Sequence, residues 1–351
     1  MTMKRTTNNR YTTANSTWSR ILIVGLAITV GSLITLCASA YSSSQTKAAS
    51  TTKEASTKAE STAKAAAPVV RGKTFATADA AADAIIDAAE KFDLPALHAI
   101  LGPEGKQIVE TGEPAADKER ASAFAAMARQ KKAVTVDKAN PNHATLTVGP
   151  EDWPFPLPIV KTAGKWSFDV RAGKLEILKR RVGENELSAI ALCRGYVDAQ
   201  HEYALKKREG YEVNQYAQKI ISTPGKQDGL AWQKADGSWD GPIGENVAKA
   251  IQRGYSDRKE PYHGYFFKVL KGQGPAAPLG QLNYVIKGAM IGGFALIAAP
   301  AEYRVSGVKT FMVCQDGVVW EKDLGPNTLE LAKKIELFNP DPTWHAVQEQ
   351  P

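Results

Sequence analysis

The chain has 351 residues, a formal net charge of +7, 43% hydrophobic residues and 8% aromatic residues. This length suits one large domain or two of ordinary size, and the composition is that of a globular protein. The positive excess is mild, and basic residues cluster only in short runs such as residues 179–181 and 206–208. It therefore predicts solvated surfaces and argues against a nucleic-acid partner, which needs a concentrated basic face.

The N-terminal segment predicts export. Residues 21–36 carry no charge, four basic residues and no acid precede them, and the small residues Ala38, Ser39 and Ala40 follow. A basic flank, an apolar segment and an A-x-A site are typical of a cleaved signal peptide, here residues 1–40. Residues 21–40 also reach the roughly 20 apolar residues that span a bilayer, so an uncleaved N-terminal anchor is the alternative.

Both alternatives place the folded part outside the cytoplasm. The first predicts a periplasmic or secreted protein, and the second a protein anchored in the inner membrane. Membrane contact is then expected only through residues 21–40, if they are uncleaved. Residues 41–73 follow as a Ser, Thr, Ala and Lys segment with no aromatic residue between Tyr41 and the end of the segment. Such a composition buries too little apolar surface to fold and predicts a disordered linker.

Residues 74–173 are predicted to form an N-terminal subdomain of helices followed by a sheet. Apolar residues recur at helical spacing over residues 77–92, 96–101 and about 117–130. Alternating strand patterns then cover residues 133–136, 145–148 and 165–170, with an extended proline-rich segment at 153–158. Asp79, Asp83 and Asp87 lie four residues apart along the first helix. We interpret them as a solvated face, because the other ligands of a metal site are missing.

Residues 184–347 are predicted to form a second subdomain. The expected elements are a long helix over 184–221, a helix over 244–254, strands at 265–270, 294–299, 309–314 and 318–322, and a final helix over 327–337. Asp316-Gly317 is a typical hairpin turn. The predicted class is α+β, with antiparallel sheets, flanking helices and two packed subdomains.

The chain lacks the familiar catalytic and metal-binding motifs. His201-Glu202 begins an HExxH motif, but Leu205 stands where the second histidine belongs. Ser306 lacks the preceding glycine of a G-x-S-x-G elbow. We therefore predict no catalytic residue, no metal site and no cofactor, which favours a protein that is not an enzyme.

One aromatic cluster is a candidate binding site. Tyr262, His263 and Tyr265 stand close together in the predicted strand region, and Trp239 precedes them in a turn-rich segment. Such side chains line grooves that bind carbohydrate or peptide, although aromatic residues also fill cores. An alternative is a hydrolase of cell-wall or peptide material, with His263 as general base and Asp236 or Asp240 nearby.

Two cysteines, Cys193 and Cys314, follow the predicted signal. In an oxidising compartment they are a possible disulfide. The alternative is a pair of separate buried thiols, since free cysteine packs as a small hydrophobe.

Several segments together resemble the domain-of-unknown-function family DUF2950. They include ATADAAADAIIDAAEKFDLPALHAILGPEGKQIV, WPFPLPIVKTAGKWSFDV, PYHGYFFKVLKGQG, YVIKGAMIGGFALIAAPAEYRVSGVKTFMV and DGVVWEKDLG. The resemblance implies export from a Gram-negative bacterium, and it carries no activity, substrate or catalytic residue. We therefore expect an envelope protein that binds an unknown envelope ligand or protein, or has a structural role. The C-terminal pattern also resembles some pilin-like secreted proteins, so an assembly component is a further alternative.

Overall fold

The computed structural model describes residues 72–208, 210, 212–244 and 261–348. Outside these residues lie the predicted signal or anchor, nearly all of the predicted linker, and all but the first residue of the predicted helix over 244–254. Within the described part, no helix is both long enough and apolar enough to cross a membrane. Helices and mostly antiparallel sheets make up the structure, so the predicted α+β class is confirmed. The chain divides into two compact units between Gly173 and Lys174.

The first unit begins with helices whose ends are set by capping side chains. They are α1 (Ala78–Glu90), α2 (Leu94–Leu101), a 3₁₀ turn (Pro103–Gly105), α3 (Lys106–Val109) and α4 (Pro114–Gln130). The Thr77 hydroxyl accepts a hydrogen bond from Ala80 N at 3.1 Å and starts α1. The Asp93 carboxylate accepts from Ala96 N at 3.1 Å and starts α2.

A five-stranded antiparallel sheet completes the first unit. Its strands are β1 (Lys132–Val136), β2 (His143–Val148), β3 (Trp153–Pro154), β4 (Ile159–Thr162) and β5 (Lys165–Phe168). The order is β1-β2-β4-β5. Strand β3 pairs with the C-terminal end of β2, whereas β4 pairs with its N-terminal end. Leu146 and Ile159 on the sheet and Ile86 on α1 are fully buried, so the core lies between the sheet and the helices.

Helix α5 (Val170–Ala204) crosses the boundary between the units and has 35 residues. The predicted helix over 184–221 is therefore wrong at both ends. It starts early because Asp169 caps it, with Ala172 N donating to Asp169 Oδ1 at 3.0 Å. It ends at Ala204, whose carbonyl accepts a hydrogen bond from Asn214 Nδ2 at 3.0 Å. Gly195 lies inside the helix, so it did not break it.

The main sheet of the second unit is antiparallel and runs in the order β17-β16-β15-β14-β9. The strands are β9 (Tyr265–Leu270), β14 (Ala295–Pro300), β15 (Lys309–Cys314), β16 (Val319–Asp323) and β17 (His345–Ala346). All six residues of β14 are buried, so this strand is the centre of the core. Helix α6 (Thr328–Lys334) is shorter than the predicted helix over 327–337.

The smaller sheets come from the chain before β9 and from the chain between β9 and β14. Strands β6 (Lys219–Ile221), β7 (Gly229–Gln233) and β8 (Trp239–Asp240) form a three-stranded sheet, in which β6 and β7 are parallel. That pair is the exception to the antiparallel prediction among the described strands. Two short hairpins follow: β10 (Gly272–Gln273) with β11 (Leu282–Asn283), and β12 (Val285–Ile286) with β13 (Ala289–Met290).

Polar side chains of α5 attach to the loop between β14 and β15. Glu186 Oε1 accepts hydrogen bonds from Val308 N at 2.8 Å and Lys309 N at 3.0 Å. Asn185 Nδ2 donates to Ser306 O at 2.8 Å. Gly307 lies buried between these contacts, against the ring of Tyr265.

We expect Gly307→Ala to destabilise the protein. A Cβ at this position would overlap Tyr265 Oη and would lie 2.6 Å from Tyr265 Cζ. Overfilling a packed site costs about 1–3 kcal/mol in the free energy of unfolding, measured by urea denaturation. Gly183→Ala in α5 is the control, because its added Cβ meets nothing within 4 Å. That change should stabilise the protein by about 0.5–1 kcal/mol. Equal effects of the two variants would contradict the packing described for Gly307.

Candidate functional site

A cleft of about 360 Å³ lies in the first unit, beside β4, β5 and the start of α5. Its walls include acidic, basic and neutral polar side chains, namely Glu104, Asp169, Arg171, Lys161, His143 and Ser167. This volume falls within the roughly 300–1,000 Å³ of pockets that hold small ligands. The cleft is therefore the candidate binding site of this unit.

The start of α5 forms one wall of the cleft. Asp169 N donates to Pro158 O at 2.9 Å, which fixes the end of β5 against the preceding strand connection. The helix then begins in tight contact with Leu157, because a Cβ on Gly173 would lie 2.6 Å from Leu157 Cγ. Glycine at position 173 thus lets the first turn of α5 approach the sheet closely. Arg171 is carried on this turn.

Arg171 forms a forked ion pair with Glu104. Its Nε and one terminal nitrogen donate to the two Glu104 carboxylate oxygens, each at 3.3 Å. The Arg171 side chain is 70% exposed and that of Glu104 is 39% exposed. A long, solvated pair of this kind contributes little stability. Both charges are therefore available to a ligand without a large loss of stability.

Strands β2, β4 and β5 supply the other wall. His143 on β2 and Ser167 on β5 both pair with Val160, which lies between them on β4. Directly paired residues point to the same face of a sheet, so the three side chains share one face. Two strand spacings separate His143 from Ser167, about 10 Å. Among the described residues no hydrogen bond joins the two side chains, so the structure does not show a base paired with a nucleophile here.

The predicted aromatic site has a different backbone from the one expected. Tyr262 N donates to Tyr265 O, and Tyr265 N donates to Tyr262 O, both at 3.0 Å. His263 and Gly264 between them have φ values of 46° and 73°. This is a tight two-residue hairpin turn of the type that needs two positive φ angles. Tyr262 and His263 therefore lie on a turn and not within a strand, and β9 begins at Tyr265.

Tyr265 belongs to the core and is not available to a ligand. It is 1% exposed, and its hydroxyl donates to Lys309 O at 2.9 Å. Its ring lies 5.9 Å from that of Phe311. Burial, together with the nearby Glu186 carboxylate, raises the pKa of Tyr265 far above its ordinary value. The assignment of Tyr265 as a binding residue is corrected accordingly.

Tyr262 and His263 are together on the turn, with ring centroids 4.5 Å apart. Partial burial raises the pKa of Tyr262 and lowers that of His263. Within the described part of the chain, no acid or hydroxyl forms a hydrogen bond with His263. Asp236 instead accepts from Ser238 N at 2.9 Å, and Asp240 forms an ion pair with Lys234 at 3.4 Å. The geometry that the hydrolase alternative requires of His263 is not present among these residues.

Trp239 lies in a different sheet from the turn. It is half-buried on β8, where it pairs with Gln233 on β7. On the same sheet, Trp232 is buried beneath the Arg208 guanidinium, which lies 5.1 Å from its ring centroid. The structure thus brings Tyr262 and His263 together, and it places Trp239 on a separate element.

Cys193 and Cys314 are both free and buried, so the possible disulfide is not formed in the structure. Burial raises the pKa of each thiol to about 12. A thiol with such a pKa carries almost no thiolate at neutral pH and is unreactive. The alternative of two separate buried thiols describes the structure.

The acidic line on α1 forms surface ion pairs. Asp83 pairs with Lys132, and Asp87 pairs with Arg129, which also contacts Glu90 at 2.8 Å. Among the described residues, no group of three or more His, Cys, Asp or Glu side chains is arranged to hold a metal ion.

No motif or spacing in the sequence identifies the cleft. Its residues come from five separate segments, and no spacing connects Glu104 or His143 with Arg171. One signal was present in the sequence. Asp169 follows a strand pattern directly and precedes a long helical stretch, which is the position of an N-cap residue.

The chain matches, over residues 72–347, the family described as "Protein of unknown function (DUF2950)". It belongs to this family, which confirms the resemblance of its segments. No curated protein matches the chain. No solved structure matches it either. Export and the envelope, hydrolase and pilin-like alternatives stay predictions.

We expect Tyr265→Phe to lower the free energy of unfolding by about 1–2 kcal/mol, because it leaves the Lys309 carbonyl without its buried donor. The matched control is Tyr303→Phe, which removes a hydrogen bond of 3.1 Å to Asp323 at an exposed site. There water replaces the hydroxyl, and the change should stay within about 0.5 kcal/mol. Thermal and urea unfolding measure both. A Tyr265→Phe protein as stable as wild type would show that the hydroxyl is not a structural group.

Proposed function

We propose that this protein is an exported, non-enzymatic binding protein of the bacterial cell envelope, with the cleft in the first unit as its ligand site. The observation that carries the proposal is the exposed Arg171–Glu104 pair inside a cleft of about 360 Å³. Export is supported by the apolar residues 21–36, their basic flank and the small residues that follow.

The charges of the cleft favour a small ligand that carries both signs. Arg171 presents a guanidinium fork, which matches a carboxylate, and Glu104 presents a carboxylate, which matches an ammonium group. Lys161 and Asp169 add one charge of each sign. A short peptide with free amino and carboxyl termini has this pattern, and such peptides are available in an envelope where cell-wall material is remodelled.

The arrangement of the polar groups favours binding over catalysis. Ser167 is buried at 3% exposure and is separated from His143 by strand β4. The Asp169 carboxylate is engaged in capping α5 through Oδ1. The ion-paired Arg171 and Glu104 are accessible to a ligand, as is the exposed Lys161.

We expect di- and tripeptides with free termini to bind, and N-acetylated, C-amidated versions to bind much more weakly, in isothermal titration calorimetry. Arg171→Gln should weaken binding about tenfold or more, since it removes a charge-assisted hydrogen bond. Arg194→Gln is the control, because it makes the same change on an exposed position of the same helix. Equal binding of blocked and free peptides, or equal losses in the two variants, would contradict a charge-reading cleft.

We also expect an alkaline phosphatase reporter fused after Ala40 to be active, because that enzyme folds only outside the cytoplasm. The intact mass of the protein then distinguishes a cleaved signal from a retained anchor. A fusion that is inactive, while a cytoplasmic reporter at the same position is active, would refute export.

A further inference from the structure

One segment of the second unit contains no acidic residue and exposes apolar side chains. No Asp or Glu occurs between Pro261 and Ala301, whereas this stretch contains three lysines. Its central part, residues 271–291, consists of the two short hairpins and is called the two-hairpin segment below. Four large aliphatic side chains in it are exposed, namely Leu279, Leu282, Ile286 and Ile291.

Leu279 is the most exposed of these residues, at 87%, and its backbone is in the left-handed region with φ of 69°. A bulky residue rarely adopts this conformation, which costs free energy. The fold enforces it through Gln273, which is 1% exposed. Gln273 Nε2 donates to the carbonyls on both sides of Leu279, those of Pro278 and Gly280, the latter at 2.7 Å. The buried Gln273 side chain therefore holds the backbone in the conformation that exposes Leu279.

The second hairpin is also fixed from within. Gln218 Nε2 donates to Gly288 O at 2.7 Å, and Met290 N donates to Gln215 Oε1 at 3.0 Å. Lys287 and Gly288 form its turn with positive φ values of 49° and 83°. Ile286 and Lys287 are consequently held at the exposed end of a rigid hairpin.

The free charges of the two-hairpin segment are positive. Lys271 and Lys287 are exposed, and neither forms an ion pair with any residue that the structure describes. Lys268, just outside the segment, is neutralised by Glu336 at 3.1 Å. The Asp316 carboxylate contributes to the raised pKa of Tyr284 in the segment, after the larger effect of burial. Asp316 Oδ1 itself accepts a hydrogen bond from Val318 N at 2.9 Å.

We propose that the two-hairpin segment is a membrane-contact surface that docks on anionic phospholipid. Leu279 and its aliphatic neighbours enter the boundary between headgroups and acyl chains, and Lys271 and Lys287 contact the lipid phosphates. The charge pattern selects this partner, since exposed apolar residues with unpaired lysines and no acid in the segment match an anionic, amphipathic surface. The inference rests on the proposed export, which places the folded part beside the phospholipid membranes of the envelope.

The test places an environment-sensitive nitrobenzoxadiazole label at Leu279→Cys in the full chain. Cys37→Ser removes the one cysteine outside the described residues, and Cys193 and Cys314 are buried. The control label is at Val136→Cys, an exposed apolar position of the first unit next to Asp137. Both proteins are mixed with vesicles of phosphatidylcholine alone or with added phosphatidylglycerol. A local label reports the surface itself, so insertion of residues 21–36 does not produce the signal.

We expect a blue shift and an intensity gain at position 279 with the anionic vesicles, none at position 136, and loss of the signal at high salt. Lys271→Gln and Lys287→Gln should each lower the apparent affinity for the anionic vesicles about fivefold. An unchanged spectrum at position 279, or an equal response to neutral vesicles, overturns the proposal. A shift that appears without vesicles as protein concentration rises also overturns it, because it indicates contact between two copies of the chain.

The result is separable from the proposed function. A cytoplasmic reporter signal or an absence of peptide binding refutes that function and leaves the vesicle measurement unaffected. A negative vesicle measurement refutes the membrane contact alone.

Discussion

The packing of β15 and β9 in the second unit depends on the hydrogen bonds that one carboxylate of α5 accepts. Glu186 is half-buried, and it is stabilised by the backbone N–H groups of Val308 and Lys309, with no basic side chain among its hydrogen-bond donors in the described structure. Charge-assisted hydrogen bonds of this kind are stronger than neutral ones. They fix the start of β15 against the helix. Because Lys309 O also accepts the Tyr265 hydroxyl, the same point fixes β9, and the turn at His263 follows from the start of that strand.

The cleft in the first unit depends in the same way on a local constraint. Asp169 follows the end of β5 and caps α5. The next two residues, Val170 and Arg171, then line the cleft. Arg171 therefore reaches Glu104 because of where the helix begins, and the close approach of Gly173 to Leu157 holds that beginning in place. Neither ion of the pair is buried, so the pair contributes little to stability.

The sequence predicted those elements whose pattern is local. Residues 265–270 and 309–314 alternate or run apolar as strands do, and the structure places β9 and β15 there. It did not predict the turn at His263, since a histidine with positive φ is uncommon and the flanking aromatics read as strand. A single sequence does not show which aromatic side chain will form a hydrogen bond with a buried acceptor, so it does not distinguish Tyr265 in the core from a binding residue. The cleft was missed because its residues meet only through sheet pairing and the start of α5.

Buried glutamines explain how long irregular segments keep a defined shape. Gln200 is 0% exposed, and it both donates to Ala217 O and accepts from Ala217 N, each at 2.8 Å. Gln273 likewise holds the backbone around Leu279, and its Oε1 accepts a hydrogen bond from the Tyr284 hydroxyl at 2.8 Å. Backbone groups outside regular ladders still need partners, and a buried amide supplies a donor and an acceptor at once. Segments held in this way are ordered before they meet a partner, so binding through them costs less conformational entropy than binding through a free loop.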